Sequence, residues 1–209
     1  ELAYPLRWYS IPNLWRYERP QRGRLREHWQ LNVDIFGLKG IEAEHEMVLI
    51  VDNILKTFVA THDMYTIKLN SRKLVDTILR EHLNLDEVQA HSMSKLIDRR
   101  AKMDQAEFMA QADALFSPSE REAGHVDKLL KILDVKQLSD LPLELQGHPS
   151  VKELERMFKL LDDSLVPNVE FDPSLMRGFD YYTDIVFEVF DTHPDNNRSM
   201  LGGGRYDGL

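Results

Sequence analysis

The 209-residue chain contains no cysteine. That removes disulfides, thiolate zinc sites and a cysteine nucleophile together, and it agrees with a reducing compartment. No apolar run approaches the roughly 20 residues that cross a bilayer and no signal peptide opens the chain, so a soluble cytoplasmic protein is expected. GxxxxGK[ST] is missing, as is a GxGxxG after a strand, so neither a P-loop nor a dinucleotide fold is indicated. A nucleophilic hydrolase has no Gly-x-Ser-x-Gly to stand on. The eight histidines form no HxH or HExxH, and His45-Glu46 lacks the second histidine four residues on. No metal ligands are assigned. Positive charge is also scarce: 26 Lys and Arg stand against 35 Asp and Glu, a formal net charge of −9. A broad basic face for nucleic acid is therefore not expected.

What positive charge there is concentrates locally. Arg16, Arg19, Arg22, Arg24 and Arg26 fall in one short stretch. The chain is long enough for one sizeable domain or two small ones, and buries roughly 70% of its unfolded surface without staples. Leu6 to Ile11 and Trp15 to Arg19 read as short strands parted by Pro12-Asn13, with a loop from Pro20 to Arg26. His28 to Asp34 alternates, with Trp29, Leu31 and Val33 on a packing face and His28, Gln30, Asn32 and Asp34 on the other. Three- and four-residue apolar steps from Ile41 to Phe58 predict a helix, its first turns enriched in Glu42, Glu44 and Glu46. Tyr65, Ile67 and Leu69 alternate as a strand. Residues 71 to 165 are mostly helical, and strand character returns at Val169 to Phe171 and Asp180 to Phe190. This order fits a helical module inserted into a mainly antiparallel α+β core, with seams near 71 and 167. The domain reading is 1–70 as the first part of the core, 71–167 as the insertion and 168–209 as the second part.

The arginine loop suits polyphosphate, because guanidinium matches phosphate oxygens in geometry and charge. A solvated hairpin tip that protects strand edges is an equal alternative. Gln30 and Asp34 share a strand face and could bind an ammonium or imidazole, or simply line an exposed sheet. Arg177 beside Gly178 could reach an anion, and Tyr182 and Tyr206 carry hydroxyls for a polar ligand edge. Gly202-Gly203-Gly204 would serve as a backbone floor beneath a ligand or as a flexible turn.

Taken together, Arg16-Tyr17-Glu18-Arg19-Pro20-Gln21-Arg22-Gly23-Arg24 through Gln30 and Asp34-Ile35-Phe36-Gly37 resemble motif 2 of the histidyl-tRNA synthetases, a class II aminoacyl-tRNA synthetase family. Arg177-Gly178-Phe179-Asp180-Tyr181-Tyr182 and Gly202 to Leu209 resemble the family's two histidine-specific signatures. The resemblance covers essentially the whole chain. It implies a class II antiparallel sheet flanked by helices, with a helical insertion domain. It further implies ATP as substrate, magnesium arriving with ATP, L-histidine and tRNA(His) as partners, and a cytoplasmic homodimer with no membrane association.

By residue, the resemblance places Arg16 at the α-phosphate, Glu18 on the adenine side and Arg24 at the distal phosphates. Gln30 and Asp34 would bind histidine through its ammonium; some members carry Glu at the second position, and Asp34 is a shorter acid in the same role. Arg177 would bridge the histidine carboxylate and the α-phosphate as an electrostatic catalyst. Tyr181, Tyr182 and Tyr206 belong to the histidine-binding set, with Tyr182 and Tyr206 reading the imidazole. A buried polar site left unpaired by the wrong amino acid discriminates strongly.

Two features depart from the pattern. Asp184 stands where glycine or a small polar residue is expected. Both ends read as cut from something longer, so motif 1, the histidine-contacting loop upstream of motif 2, motif 3 and the anticodon-binding domain are expected elsewhere. Two other readings compete: the paralogous regulatory subunit of ATP phosphoribosyltransferase, and a non-catalytic tRNA- or protein-binding module.

Overall fold

A computed structural model describes residues 3–17, 19–20, 24–177, 181–196 and 198–208. They group into two compact units, Glu1–Met47 and Val48–Leu209.

The first unit is built on one antiparallel hairpin. Strand β1 (Leu6–Ser10) pairs with β4 (Asn32–Phe36), and β2 (Asn13–Trp15) pairs with β3 (Glu27–Trp29). The register is continuous, since Ser10 faces Asn32 and Asn13 faces Trp29, which sets Pro12 opposite Gln30. Gln30 N donates to the Pro12 carbonyl at 3.1 Å, but proline has no N–H to return the bond. The ladder loses one rung there, so the single strand expected from His28 to Asp34 is split into β3 and β4. The hairpin runs on past β2, with Arg16 N donating to the Arg26 carbonyl at 2.8 Å.

The face carrying Trp29, Leu31 and Val33, expected to pack, is open: Trp29 is 71% and Leu31 45% exposed. Register gathers Tyr9 and Ile11 onto the same face as Val33 and Leu31, so these side chains meet cross-strand neighbours rather than a covering layer. Gly37 follows β4 at φ +84°, where an added Cβ would come within 2.7 Å of the Tyr4 ring. Arg7 of β1 reaches Glu46, with Nη2 donating to Oε2 at 2.7 Å.

Helix α1 (Glu42–Thr57) starts with Glu42 and Glu44 in its first turn, where the dipole favours them. It stops before Phe58, which is 80% exposed rather than part of the apolar stripe. Buried Asp52 takes Tyr65 Oη as a donor at 2.5 Å and Lys56 Nζ at 2.7 Å. Burial and the bond to Asp52 both drive the Tyr65 phenol far up.

A four-stranded sheet forms the centre of the second unit, in the order β6 (Val169–Phe171), β5 (Tyr65–Ser71), β7 (Ile185–Asp191), β8 (Ser199–Gly204). The β5–β6 pair is parallel and the other two are antiparallel. Between β5 and β6 the chain makes a long helical excursion. It contains α2 (Arg72–Asp76), a π-helical turn (Thr77–His82), α3 (Glu87–Arg99), a 3₁₀ turn (Arg100–Lys102), α4 (Gln105–Leu115), α5 (Pro118–Glu122), α6 (His125–Leu133), α7 (Leu143–Gln146) and α8 (Pro149–Asp163). Capping sets the helix starts: Asp86 with Gln89 and Ser117 with Glu120 form capping boxes, and Asp104 accepts from Glu107 N. Each such cap satisfies donors that would otherwise lose a partner. Val151, Leu154, Met157 and Leu161 form the fully buried stripe of α8, which lies against β5 and α2. No helix among the described residues is long and apolar enough to cross a membrane.

Asp184 has a structural reason to be acidic. It is only 3% exposed, accepts from Ser71 Oγ at 3.2 Å and forms an ion pair with Lys73. Ser71 also caps α2, so one carboxylate ties the start of the excursion to the entry of β7. Lys73→Ala leaves that carboxylate buried with a hydroxyl donor in place of a cation. The expected loss is about 2 kcal/mol in urea unfolding with an unchanged m-value.

Candidate active site

The hairpin of the first unit carries several of the candidate residues. Period-two spacing puts His28, Gln30, Asn32 and Asp34 on one face of one arm, and cross-strand pairing brings Arg16 and Arg26 onto that face. Arg16 Nη2 donates to Gln30 Oε1 at 2.9 Å, and Gln30 Nε2 donates to Asn32 Oδ1 at 2.6 Å. Gln30 thus uses both ends of its amide to orient neighbours, and the arginine it orients is exposed. Asp34 lies further along the same face, opposite Trp8. Arg26 stacks above the Tyr17 ring at 5.7 Å. Arg24 is exposed near the hairpin tip. Glu18, Arg22 and Gly23 lie outside the described residues.

The sheet of the second unit carries other candidate residues. Arg177 adopts a left-handed backbone, φ 51°, a conformation uncommon for a non-glycine residue. Its guanidinium lies on β8: a Cβ at Gly202 would fall 1.7 Å from Arg177 Nη1 and 2.5 Å from the Phe187 carbonyl. Arg177 Nη1 sits 3.4 Å from that carbonyl and 3.5 Å from Glu188 Oε1, with Cζ 5.7 Å from the Tyr182 ring centre. Its Nε is buried without a hydrogen-bond partner among the described residues.

The three glycines are strand rather than turn, paired in register with Glu188, Phe187 and Val186. A Cβ at Gly203 would meet the Phe187 ring at 2.9 Å, and one at Gly204 the Tyr182 ring at 2.8 Å. Glycine weakens a strand, and here its lack of a side chain makes room for an arginine and two aromatic rings. Tyr182 packs with Leu175 and Val186, and Tyr206 lies against that cluster. Tyr181 bridges the aromatic group, 4.6 Å from Tyr182 and 6.3 Å from Tyr206 between ring centres. Gly178, Phe179 and Asp180 lie outside the described residues.

The electrostatics follow from burial. The Tyr182 phenol is pushed up to about 12, first by burial and then by its hydrogen bond with Tyr181, so it stays neutral and able to donate. Glu188 is raised by burial, with Arg177 opposing the shift. Periodicity reasoning missed Glu188. Its signal was a single charge inside the apolar run from Ile185 to Phe190. A groove of about 950 Å³ opens beside Arg177, walled by Arg72, Asp76 and Arg80 on one side and His91, Lys95 and Asp98 of α3 on the other. Thus Arg16 and Gln30 are joined in the first unit, and Arg177, Tyr181, Tyr182 and Tyr206 gather in the second.

Residues 2–209 match the family model described as Histidyl-tRNA synthetase. A histidine–tRNA ligase of Leptospira biflexa is 41% identical over 210 residues, covering all of this chain and 47% of that protein. A crystal structure of histidyl-tRNA synthetase from Nostoc sp. PCC 7120 superposes with TM-score 0.82 at 23% identity, over the whole chain and 49% of that protein. A Bacillus halodurans structure described as an ATP phosphoribosyltransferase regulatory subunit/histidyl-tRNA synthetase gives TM-score 0.77 at 20% identity, over 98% of this chain and 52% of its own. The two structural likenesses establish a shared fold. The chain spans about half the length of these relatives.

Two outcomes test the local geometry. Gly202→Ala places a methyl where Arg177 Nη1 and the Phe187 carbonyl now lie, so a crystal structure of the variant should show the guanidinium displaced. In a spectrophotometric titration, the Tyr182 phenol should ionise near its raised value of about 12, and Tyr182→Phe should remove that late component. Because the folded value exceeds the unfolded one, the associated stability is complete below about pH 10 and is lost as pH rises through about 12.

Proposed function

The chain belongs to the histidyl-tRNA synthetase family, and from that premise we propose that its protein is a histidine–tRNA ligase, forming histidyl-adenylate from histidine and ATP and passing the histidyl group to tRNA(His). The observation that carries this reading is that the family match runs through both sets of site residues, from the arginine hairpin to the glycine strand. In the first step a histidine carboxylate oxygen attacks the α-phosphorus, the new P–O bond forms and pyrophosphate leaves with the electrons of the broken bond. In the second, a terminal ribose hydroxyl of the tRNA attacks the activated carbonyl and AMP leaves. Neither step requires a protein nucleophile, so the side chains act by positioning and by neutralising developing charge.

Arg16, oriented by Gln30, takes the α-phosphate, with Glu18 toward adenine and Arg24 at the distal phosphates. Gln30 and Asp34 receive the ammonium. Arg177 lies between the histidine carboxylate and the α-phosphate, where a fixed guanidinium stabilises the pentavalent oxygens. Tyr181, Tyr182 and Tyr206 form the imidazole side of the pocket, and a phenol held neutral suits recognition of a ring nitrogen. The cationic groups favour phosphate oxygens over a divalent ion. Magnesium would enter with ATP as its counter-ion. The reading includes residues 71–167 as an insertion between two parts of one catalytic core, 1–70 and 168–209. It also includes a homodimer in the cytoplasm, where translation consumes charged tRNA.

Histidine-dependent ATP–pyrophosphate exchange by the full-length protein tests the proposal. Exchange with histidine and no other amino acid is expected, and Arg177→Ala should lower kcat by about 10²–10³-fold. Tight histidine binding without exchange would replace this reading with the regulatory one.

A further inference from the structure

The backbone that delivers Arg177 is held from two sides. On the sheet side, Asp172 N donates to the Leu69 carbonyl at 3.0 Å. Asn70 Nδ2 donates to the carbonyls of Pro173 and Leu175 at 3.1 and 2.9 Å, and Arg72 Nη1 to that of Met176 at 3.2 Å. On the helical side the contact is Arg100. Its Nη1 donates to Ser174 Oγ at 3.0 Å and to the Leu133 carbonyl at 3.0 Å, while Nη2 reaches Asp134 Oδ1 at 2.5 Å. The guanidinium also lies 5.5 Å from the ring centre of Phe108, which is buried.

One side chain therefore joins α4, the C-terminal end of α6 and the turn that leads to Arg177. The end of α6 is a favourable place for a cation, because its last carbonyls carry partial negative charge. A planar fork can hold several acceptors in fixed directions. A left-handed residue such as Arg177 persists when its surroundings over-determine it, and Ser174 lies three positions before it.

A second observation points to the same turn. Asp98 and Lys102, flanking Arg100, act electrostatically on Glu188, together with Arg177 itself and Asp172. Asp98 and Arg99 also line the groove beside Arg177. The stretch from Asp98 to Lys102 thus faces the surroundings of Arg177 with both charge and hydrogen bonds.

We propose that Arg100 is a positioning residue that, through Ser174, aims Arg177 and makes its placement depend on the packing of the helical excursion. The catalytic meaning of this role rests on the proposed function, but the geometric role does not. In the folded protein a shift of the end of α6 moves Arg100, the Ser174 hydroxyl follows, and the arginine downstream is re-aimed over the glycine strand.

The test uses full-length protein with ¹⁵N-labelled arginine. The buried Arg177 Nε–H should give a slowly exchanging signal, assigned by its loss in Arg177→Ala. Ser174→Ala cuts the link and leaves the bonds of Arg100 to Leu133 and Asp134. It should shift or broaden the Arg177 signal and lower kcat for histidine-dependent exchange about tenfold, with KM for ATP and thermal stability unchanged. Ser174→Thr, which keeps the hydroxyl, should restore both readouts. Arg100→Lys keeps the charge without the fork and should resemble Ser174→Ala in the Arg177 signal. An unaltered Arg177 signal in Ser174→Ala overturns the positioning role whatever the rates are. A wild-type protein without exchange overturns the ligase reading, and the spectra still decide the role of Arg100.

Discussion

The pairing of β5 with β7 is the constraint on which the second unit depends. Seven residue pairs run from Tyr65 opposite Asp191 to Ser71 opposite Ile185, although most of the helical chain intervenes in sequence. Such a ladder forms only after a long loop has been closed, and loop closure costs entropy before the contacts repay it. The cost is spread because β5 is bonded on both edges and buried: Tyr65, Ile67 and Leu69 are almost wholly covered. Asn168 reinforces the return of the chain, its Nδ2 donating to the Tyr65 carbonyl at 2.8 Å and its own carbonyl accepting from Ile67 N at 2.9 Å. Everything that shapes the tyrosine cluster hangs from this strand. Ser71 caps α2, Asn70 holds the 173–175 turn, and Asp184 locks the entry of β7.

Polar groups inside this unit are placed where they direct backbone. Asn70, Asp52 and Asp184 are all buried; Asn70 and Asp184 join segments more than 100 residues apart, and Asp52 joins α1 to β5. An apolar residue of similar size would fill the same volume without choosing a partner, whereas a buried donor or acceptor is costly unless it finds one. The glycine strand applies the same logic in reverse. Three successive positions give up side-chain packing, and that loss is offset by close approach of Arg177, Phe187 and Tyr182 to the backbone. The result is an arginine that is partly buried and held in a direction.

How much of this the residues announced depends on range. The class of the fold, strands then helices then strands, follows from local periodicity, and so does the shared face of Gln30 and Asp34, because period two is a property of a single strand. The link of Arg16 to Gln30 needed only the hairpin register. Contacts across the helical excursion left no such mark. Asp184 looked like an anomaly because its partner Lys73 lies on the other side of that excursion, and Glu188 was one charge in an apolar strand. The glycine triplet has no side chains to alternate, so turn and strand were indistinguishable until β7 lay beside it. The face of Trp29 and Leu31 misled for a different reason. Alternation reports which residues share a side, and it says nothing about whether another layer covers them.

The unbroken register of the hairpin has a consequence for length variation. Leu6 faces Phe36 and Trp15 faces Glu27 in one continuous frame, with Pro12 removing a bond but not a residue. Such a ribbon behaves like a reading frame of period two. One residue inserted in either arm inverts everything beyond it, exchanging the polar side for the aromatic side and turning Arg16 away from Gln30. Insertions past the Arg16–Arg26 rung leave the frame intact. Variation in length is therefore tolerated at the tip and excluded from the arms, and Pro12 interrupts the ladder without shifting its phase.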